Sequence, residues 1–306
     1  MLSEGDIYAR IGEDGNRTSD ANNMVLVRAI GYGRDNTSVT LEATLKPMSL
    51  PAIVTGGPLR ISNEFALAGT EGSVHANGAL NITDTATIAK DATASGSFSN
   101  TGGATIGGQF GGAHPTLPLP VVRAIDYRPN ADYVLTSTGK LTNLTGTVVY
   151  CDAFGNPTAC EPVYGWRFQG NEWRVQGNTV LGRTYYAETD VRVSGAPIAA
   201  LTLIAQGSIR IDGDATIIPE TPNVLFVTDG DLRIDSEPVL TGQMLVHEQF
   251  RITDEAQIVG QILVEDAATA SSLVIDNRID GEAVITYNGT FAGGSGFTLS
   301  AWREVR

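Results

Sequence analysis

Ala205-Gln-Gly-Ser-Ile-Arg-Ile211 and Thr228-Asp-Gly-Asp-Leu-Arg-Ile234 are two copies of one short pattern, and this pattern decides the fold. Each copy has a small residue, a polar residue, a glycine and then an apolar–polar–apolar strand. Ala76–Ile82 follows the same plan, Ala187–Val193 follows it with Thr189 in place of the glycine, and His247–Ile252 follows it with one residue fewer. The copies that begin at 187, 205 and 228 are 18 and 23 residues apart. Short strands with polar corners and a period of about 20 residues are typical of a β-solenoid.

Stacking explains why such a pattern repeats. One coil of three short strands cannot bury its apolar side chains alone, so coils are expected to stack at about 4.8 Å. This places Ile211, Ile234 and Ile252 in one buried column. A left-handed solenoid needs a strict hexapeptide period, which is missing, so the sequence predicts an all-β, right-handed parallel β-helix. An antiparallel sandwich also has turns every 8–12 residues or so, but it leaves the matched polar corners unexplained.

The sequence predicts four consecutive parts. They are an N-terminal antiparallel hairpin (1–50), the first coils of the β-helix (51–120), an aromatic-rich excursion packed on the solenoid (121–186) and the main coils with a C-terminal cap (187–306). In the hairpin, apolar residues alternate with polar ones from Val39 to Leu45, so one face is expected to lie on a core.

Aromatic residues are concentrated in the excursion, which holds six of the nine tyrosines and two of the three tryptophans. We interpret them as a local core. The alternative is a contact surface for a ligand or partner. The candidates for that surface are Tyr127, Tyr133, Tyr164, Trp166 and Trp173.

Two cysteines, Cys151 and Cys160, lie on either side of Gly155-Asn-Pro157. A turn at these residues brings the thiols together, so we expect a disulfide worth roughly 2–3 kcal/mol and an oxidising compartment. Free thiols or half of a metal site are the alternatives. The three histidines are far from the cysteines in the sequence, which argues against a structural zinc site.

Stacked coils also align acidic residues of the corners. Asp214, Glu237 and Glu255, with Glu282, are expected to form one column, and they are weak candidates for a Ca²⁺ site. A solvated corner is the alternative, which we favour because we find no basic partners that recur near these acids.

A second column is expected to contain Asp229, Glu248 and Asp266, with Gln206, and His247 is a candidate general base. Such a column suits an acidic groove of a polysaccharide-cleaving β-helix. A solvated corner is again the alternative that we favour. A lone histidine is more often structural. No phosphate-binding loop and no nucleophile elbow occur in the sequence, so we assign no catalytic residues and expect no cofactor apart from the possible Ca²⁺.

The chain has 20 basic and 34 acidic residues, which gives a net charge of −14. Nucleic acid and anionic membrane surfaces are therefore poor partners. No apolar run reaches the ~18 residues of a membrane span. Met1–Asp6 lacks the basic start and apolar core of a signal peptide, so an exported protein is expected to be represented here by a mature or truncated chain.

Three phrases resemble the extracellular part of bacterial PilX-type, type IV pilus-associated proteins. They are Val39-Thr-Leu-Glu-Ala-Thr-Leu45, Gly72-Ser-Val-His-Ala-Asn-Gly78 and Leu225-Phe-Val-Thr-Asp-Gly-Asp231. The resemblance covers about residues 35 to 306, and its motifs are of low complexity. It implies a minor-pilin-like start and then a repetitive β domain. The family's apolar anchoring helix and prepilin cleavage motif are missing here, and Glu64, Asp214 and Glu237 stand where the family often has asparagine.

The resemblance implies a non-enzymatic structural or adhesive component of a type IV pilus-like system. Expected partners are other pilus subunits or a surface ligand such as a glycan, without nucleic acid or membrane contact. The expected location is extracellular, on the cell surface or in the periplasm of a Gram-negative-type bacterium. The alternative is a secreted β-helical protein that binds or cleaves polysaccharide. A filament-forming solenoid is a third hypothesis.

Overall fold

The structure is a computed structural model. It describes residues 7–11, 25–32, 37–47, 50–151, 165–175, 177–178, 180, 182–267, 277–289 and 297–305. Two compact units are formed by Met1–Ser49 with Gly294–Arg306 (the end unit) and by Leu50–Gly293 (the repeat unit). The described residues are nearly all β, and the two large sheets consist mostly of parallel pairs.

The elements follow in chain order. The first strands are β1 (Ile7–Ile11), β2 (Val25–Tyr32), β3 (Ser38–Pro47), β4 (Ile53–Thr55), β5 (Leu59–Ile61), β6 (Ala66–Ala68), β7 (Val74–Ala76), β8 (Leu80–Ile82), β9 (Thr87–Ile88), β10 (Ala92–Ala94), β11 (Phe98–Asn100), β12 (Thr105–Ile106) and β13 (Phe110–Gly111). The middle of the chain has α1 (Ala124–Tyr127), a 3-10 turn (Arg128–Asn130), β14 (Tyr133–Leu135), β15 (Lys140–Asn143), β16 (Val148–Cys151), β17 (Trp166–Gln169) and β18 (Glu172–Val175). The remaining strands are β19 (Thr184–Ala187), β20 (Asp190–Val193), β21 (Ile198–Ala200), β22 (Thr202–Ala205), β23 (Ile209–Ile211), β24 (Thr216–Ile218), β25 (Val224–Thr228), β26 (Leu232–Ile234), β27 (Val239–Val246), β28 (Phe250–Ile252), β29 (Gln257–Val264), β30 (Asn277–Ile279), β31 (Val284–Thr286) and β32 (Phe297–Val305).

The end unit is a four-stranded antiparallel sheet of order β1-β2-β3-β32. The predicted hairpin is confirmed, with Val25 opposite Leu45. The sequence did not predict β1. β32 pairs with β3, so residues 297–305 form the fourth strand of this sheet. Val39 and Leu41, which the alternation assigns to a buried face, are 48% and 45% exposed.

The repeat unit is built from successive sets of three short strands, which we call repeats. Second strands pair in parallel, so that Ile211 lies opposite Ile234 and Ile234 lies opposite Ile252. All three isoleucines are fully buried, which confirms the predicted column. The pattern at 247–252 is not one residue shorter, because Val246 lies opposite Thr228 and starts a full-length copy.

The order of stacking differs from the order of the chain. β29, β30 and β31, in the last repeat before residue 289, pair in parallel with β4, β5 and β6. The repeats of residues 50–111 therefore continue the stack that begins at β19, instead of forming a separate first end. Two buried amides lie at this junction. Gln261 Nε2 donates to the carbonyls of Leu50 and Pro51 at 3.2 and 2.9 Å, and Asn277 Nδ2 donates to the Pro58 carbonyl at 3.1 Å.

The strands of the aromatic excursion lie at the end of the stack that begins with β19, opposite to the repeats of residues 50–111. β14 pairs with β19, and β18 pairs with β20. Trp166 and Tyr185 meet edge to face with ring centroids 5.1 Å apart, and Trp173 is fully buried. The aromatic residues thus supply the core at this end of the stack.

The first strands of the repeats are buried on both faces. They include β19, β22, β25, the second halves of β27 and β29, β4 and β7. Their inward side chains, such as Leu203 and Phe226, belong to the main core, whereas Ile204, Val227 and Leu263 face the other way and are still at most 1% exposed. A parallel strand that is covered on both faces consists of consecutive apolar residues. Pairs such as Leu203-Ile204 follow from this burial.

Candidate functional site

Residues 112–132, the return segment, cross the outer face of the first strands from one end of the stack to the other. The segment begins beside β10, where the His114 N–H donates to the Ala94 carbonyl at 2.9 Å. It ends beside β19, where the Asp132 N–H donates to the Thr184 carbonyl at 2.8 Å. α1 lies between these ends, against β22 and β25. The segment covers the outward apolar side chains of the first strands.

A polar residue follows most first strands, and the strand registers align these residues in what we call the corner column. Its members are Glu188, Gln206, Asp229, His247, Glu265 and Asn77. Gly56 takes this position after β4. The expected column of Asp229, Glu248 and Asp266 is therefore wrong, because Asp229 aligns with His247 and Glu265, and Glu248 and Asp266 lie one position further along.

Three members of the corner column bind the backbone of the return segment. The Ala124 N–H donates to Asp229 Oδ1 at 2.6 Å, and the Val122 N–H donates to Glu265 Oε2 at 3.0 Å. Asn77 both accepts from the Leu117 N–H and donates to the Leu117 carbonyl, each at 2.8 Å. The segment forms no strand with the repeats, so side-chain acceptors satisfy these backbone donors instead.

His247 is engaged by the same column. Its Nδ1 lies 2.7 Å from Glu265 Oε2, the oxygen that also accepts from Val122. Burial raises the pKa of the Asp229 carboxyl. The hydrogen bond from the Ala124 N–H and the charge of His247 act in the opposite direction but are weaker. The arrangement holds the return segment in place, and it is not the geometry of a general base facing an open groove.

Tyr186 lies under the return segment on β19. Burial and then the charge of Asp229 raise the pKa of its hydroxyl to about 12, and the Arg128 guanidinium opposes this shift. That guanidinium lies 5.6 Å from the centre of the Tyr186 ring, within cation–π distance. Tyr186 therefore stays protonated at physiological pH and fastens the 3-10 turn to the first strands.

His75, on β7, is buried in a polar cluster beneath the start of the return segment. Asn77 Oδ1 accepts from Leu117, so the neighbouring His75 Nε2, 3.1 Å away, carries a proton. His75 Nδ1 then accepts from the Thr93 hydroxyl at 2.8 Å, and Ser95 Oγ lies 3.2 Å from Nε2. Burial lowers the pKa of His75, the hydrogen bond that His75 donates to Asn77 opposes this, and the charge of His114 lowers the pKa further. His75 is thus a neutral, satisfied histidine at neutral pH.

The Ca²⁺ candidates Asp214, Glu237 and Glu255 lie in one column, as expected from the registers on either side of them. All three side chains are exposed. Among the described residues, no group of three histidine, cysteine, aspartate or glutamate side chains is arranged to hold a metal ion.

A row of arginines was missed in the sequence analysis. The middle residues of successive second strands align in one row: Arg174, Arg192, Arg210, Arg233, Arg251, Arg278 and Arg60. Arg210 Nε lies 3.0 Å from Asp235 Oδ2, and Asp280 pairs with Arg278 and Arg251. These arginines pair with acids that directly follow the second strands, and not with the Ca²⁺ candidates. The recurring Arg-Ile and Arg-Val pairs were the available signal.

The predicted aromatic contact surface is only partly accessible. Trp166 and Trp173 are 2% and 0% exposed, and Trp173 Nε1 donates to the Thr136 carbonyl at 2.9 Å. These two residues are core, because they fill the end of the stack. Tyr127 and Tyr133 are partly buried, and Tyr164 lies outside the described residues.

Cys151 ends β16, and Cys160 lies outside the described residues, so the disulfide stays a prediction. Within the described part of the chain, no helix is both long and apolar enough to cross a membrane.

Comparisons with known proteins give little similarity. No protein-family model and no curated protein matches the sequence. The competence-associated pilin ComZ from Thermus thermophilus aligns with 99% of this chain and 86% of its own, at 10% identity and a TM-score of 0.31. A score this low does not establish a common fold.

Proposed function

We propose that the protein is a non-enzymatic surface component of a type IV pilus-like system, with a structural or adhesive role. The observation that carries the proposal is the connection of the two units. β3 and β32 are paired neighbours in the sheet of the end unit, and the whole repeat unit lies between them in the sequence. A small sheet closed by both ends of the chain thus carries one large inserted unit, in keeping with the PilX-type resemblance of residues 35–306.

The use of the acidic residues supports a role without catalysis. Asp229 and Glu265 accept backbone N–H groups, and His247 is bonded to Glu265. Directly after the second strands, Asp212, Asp235 and Asp280 pair with arginines of those strands. Groups that suit an acidic groove are engaged in holding the repeats and the return segment together.

We further propose that the repeats close into a right-handed parallel β-helix, which gives the inserted unit the stiffness that a surface protein needs. Parallel registers that continue from β19 to β13 support this. The proposed partners are other pilus subunits or a glycan, and the proposed location is the cell surface or periplasm. A Cys151–Cys160 disulfide suits that location.

The experiment is localisation in the cells that encode the chain. An epitope inserted at Gly103, where an added Cβ would meet nothing, marks the protein with little disturbance. We expect the tag in the sheared surface fraction and on fibres in immunogold images, and its loss from both when the prepilin peptidase gene is deleted. A tag that stays in the cytoplasm, or that reaches the medium without the peptidase, contradicts the proposal.

The polysaccharide-cleaving alternative is tested separately. The purified chain is incubated with neutral and acidic polysaccharides, and reducing ends are measured. Release of reducing ends that disappears in Asp229→Asn and Glu248→Gln variants of confirmed fold would favour the enzyme. We expect no release.

A further inference from the structure

The third strands of the repeats form an uncharged strip. They run in one continuous parallel register from β21 through β24, the starts of β27 and β29, β31, β6 and β9 to β12. Not one of these eight strands contains a charged residue. The second strands, in contrast, contain the arginine row. In a chain with a net charge of −14, a charge-free strip of this length is a distinct surface.

Most outward side chains of the strip are small or β-branched, and Gln257, an uncharged amide between Val239 and Val284, is the exception. Ile198, Ile218, Val239, Val259 and Val284 are 82%, 51%, 38%, 46% and 42% exposed. Threonines occupy several of the outward positions between them, so that methyl and hydroxyl groups alternate along the strip. β-Branched side chains are stiff at χ1, and little conformational entropy is therefore lost when a ligand covers them.

The other acidic column, which contains the Ca²⁺ candidates, forms one edge of the strip. Asp214, Glu237, Glu255, Glu282 and Glu64 are exposed and each precedes a third strand by two residues. They hold a row of negative charge beside the uncharged groups. A polyanion approaching the strip would be repelled by this row, so the surface selects against acidic polymers.

The dimensions of the strip limit the occupant. Seven steps of about 4.8 Å and two outward positions per strand give a strip of roughly 34 by 7 Å, on the order of 250 Å². A stable protein interface needs about 800 Å² on each partner. The strip is too narrow for a second copy of the chain, and it fits one extended polymer that lies along the stack.

We propose that this strip binds a single chain of a neutral linear polysaccharide, laid along the stack and perpendicular to the strands. Sugar rings present apolar C–H faces and hydroxyl edges, which match the methyl and hydroxyl groups of the strip. Both surfaces repeat at a fixed interval, so that the same contact is made many times. The inference rests on the proposed adhesive role and names its ligand class.

The test is binding of the purified full chain to microcrystalline cellulose, to chitin and to soluble neutral β-1,3-glucan, with polygalacturonate as the acidic comparison. We expect binding to at least one neutral polymer and none to polygalacturonate. A Val239→Lys/Val259→Lys variant places two desolvated charges under the polymer, and its affinity is expected to fall at least tenfold. Both valines are partly exposed, so the fold should tolerate the change, which circular dichroism checks.

The matched control is Val148→Lys, a valine that is 45% exposed on β16, outside the strip. It is expected to bind like the unchanged chain. Absence of binding to every neutral polymer overturns the inference, as does binding that survives Val239→Lys/Val259→Lys. A concentration-dependent dimer that these lysines dissociate, without polymer binding, also overturns it and assigns the strip to a second copy. Surface localisation can succeed while binding fails, so the two proposals fail independently.

Discussion

Asn77 and Leu117, 40 residues apart in the sequence, are joined by both halves of the Asn77 amide. Asn77 Oδ1 accepts from the Leu117 N–H and Nδ2 donates to the Leu117 carbonyl, each at 2.8 Å. A side chain here does what a neighbouring strand does elsewhere in the molecule. It lets a proline-rich segment lie on the first strands without entering their sheet.

Asn77→Ala removes both hydrogen bonds and leaves a partly buried N–H and carbonyl of Leu117 without these partners. We expect the free energy of unfolding to fall by about 2–3 kcal/mol, since each lost partner costs on the order of 1 kcal/mol. Urea unfolding measures it. Asn81→Ala, an exposed asparagine in the same repeat, should cost less than ~0.5 kcal/mol. Equal losses in the two variants would mean that the return segment is not held through Asn77.

His75 makes the stability depend on pH. Burial lowers its pKa in the folded state below the ordinary value of 6.5, so the unfolded chain binds the proton more readily. The contribution of neutral His75 is present above pH 6.5 and is lost as the pH falls through the lowered folded value. We expect the free energy of unfolding to decrease from pH 7.5 to 5, and to decrease less in His75→Gln. An unchanged slope in that variant would contradict this role of His75.

The repeats could be predicted because their local physics is visible in one strand at a time. The buried column of Ile211, Ile234 and Ile252 follows from the apolar–polar–apolar pattern and from stacking. The pairing of β29 with β4 could not be predicted in this way. It joins residues about 210 positions apart, and the two amides that fix it, on Gln261 and Asn277, look like ordinary corner residues in the sequence.

The candidate site was predicted less well than the repeats. Asp229 and His247 were assigned to an acidic corner, with a solvated corner and a catalytic groove as the alternatives, and the return segment that lies over them was not predicted. The signal was present in the apolar pairs such as Leu203-Ile204, which indicate a strand that is covered on both faces.

Asp229→Ala should loosen the return segment, because the Ala124 N–H loses its acceptor at 2.6 Å. We expect a loss of about 1–2 kcal/mol in the free energy of unfolding and faster tryptic cleavage after Arg123. Limited proteolysis followed by mass spectrometry measures the cleavage. Asp214→Ala, at an exposed acid of the other column, serves as the control and should leave the cleavage rate unchanged. Similar cleavage in both variants would contradict a holding role for Asp229.

Asp212 should contribute stability that is lost in acid. Burial raises the pKa of this carboxyl, but hydrogen bonds from Arg192 and Ser194 and the charges of Arg192 and Arg210 outweigh burial and hold the pKa below its ordinary value of 3.8. The contribution is therefore present above pH 3.8 and disappears as the pH falls through the folded value. In Asp212→Asn, we expect a shallower loss of stability between pH 5 and 2. Equal pH slopes in the unchanged chain and in Asp212→Asn would show that Asp212 does not contribute in this way.

Asn277 is the most sensitive polar position of the junction between the two sets of repeats. The Phe250 N–H donates to its Oδ1 at 3.1 Å, its Nδ2 donates to the Pro58 carbonyl at 3.1 Å, and the side chain is fully buried. Asn277→Leu keeps the number and branching of the side-chain heavy atoms but leaves the Phe250 N–H and the Pro58 carbonyl buried without these partners, at about 1–3 kcal/mol for each group.

We expect Asn277→Leu to lower the free energy of unfolding by about 2–5 kcal/mol and to separate the transitions of the two sets of repeats. Hydrogen exchange should show lower protection in β4–β6 than in β22–β25, because β4–β6 pair with β29–β31 across the junction that the substitution weakens. Glu282→Leu, at an exposed position in the same repeat, is the control and should leave a single transition. A single, unshifted transition in Asn277→Leu would show that apolar packing alone fixes the register of β30 against β5.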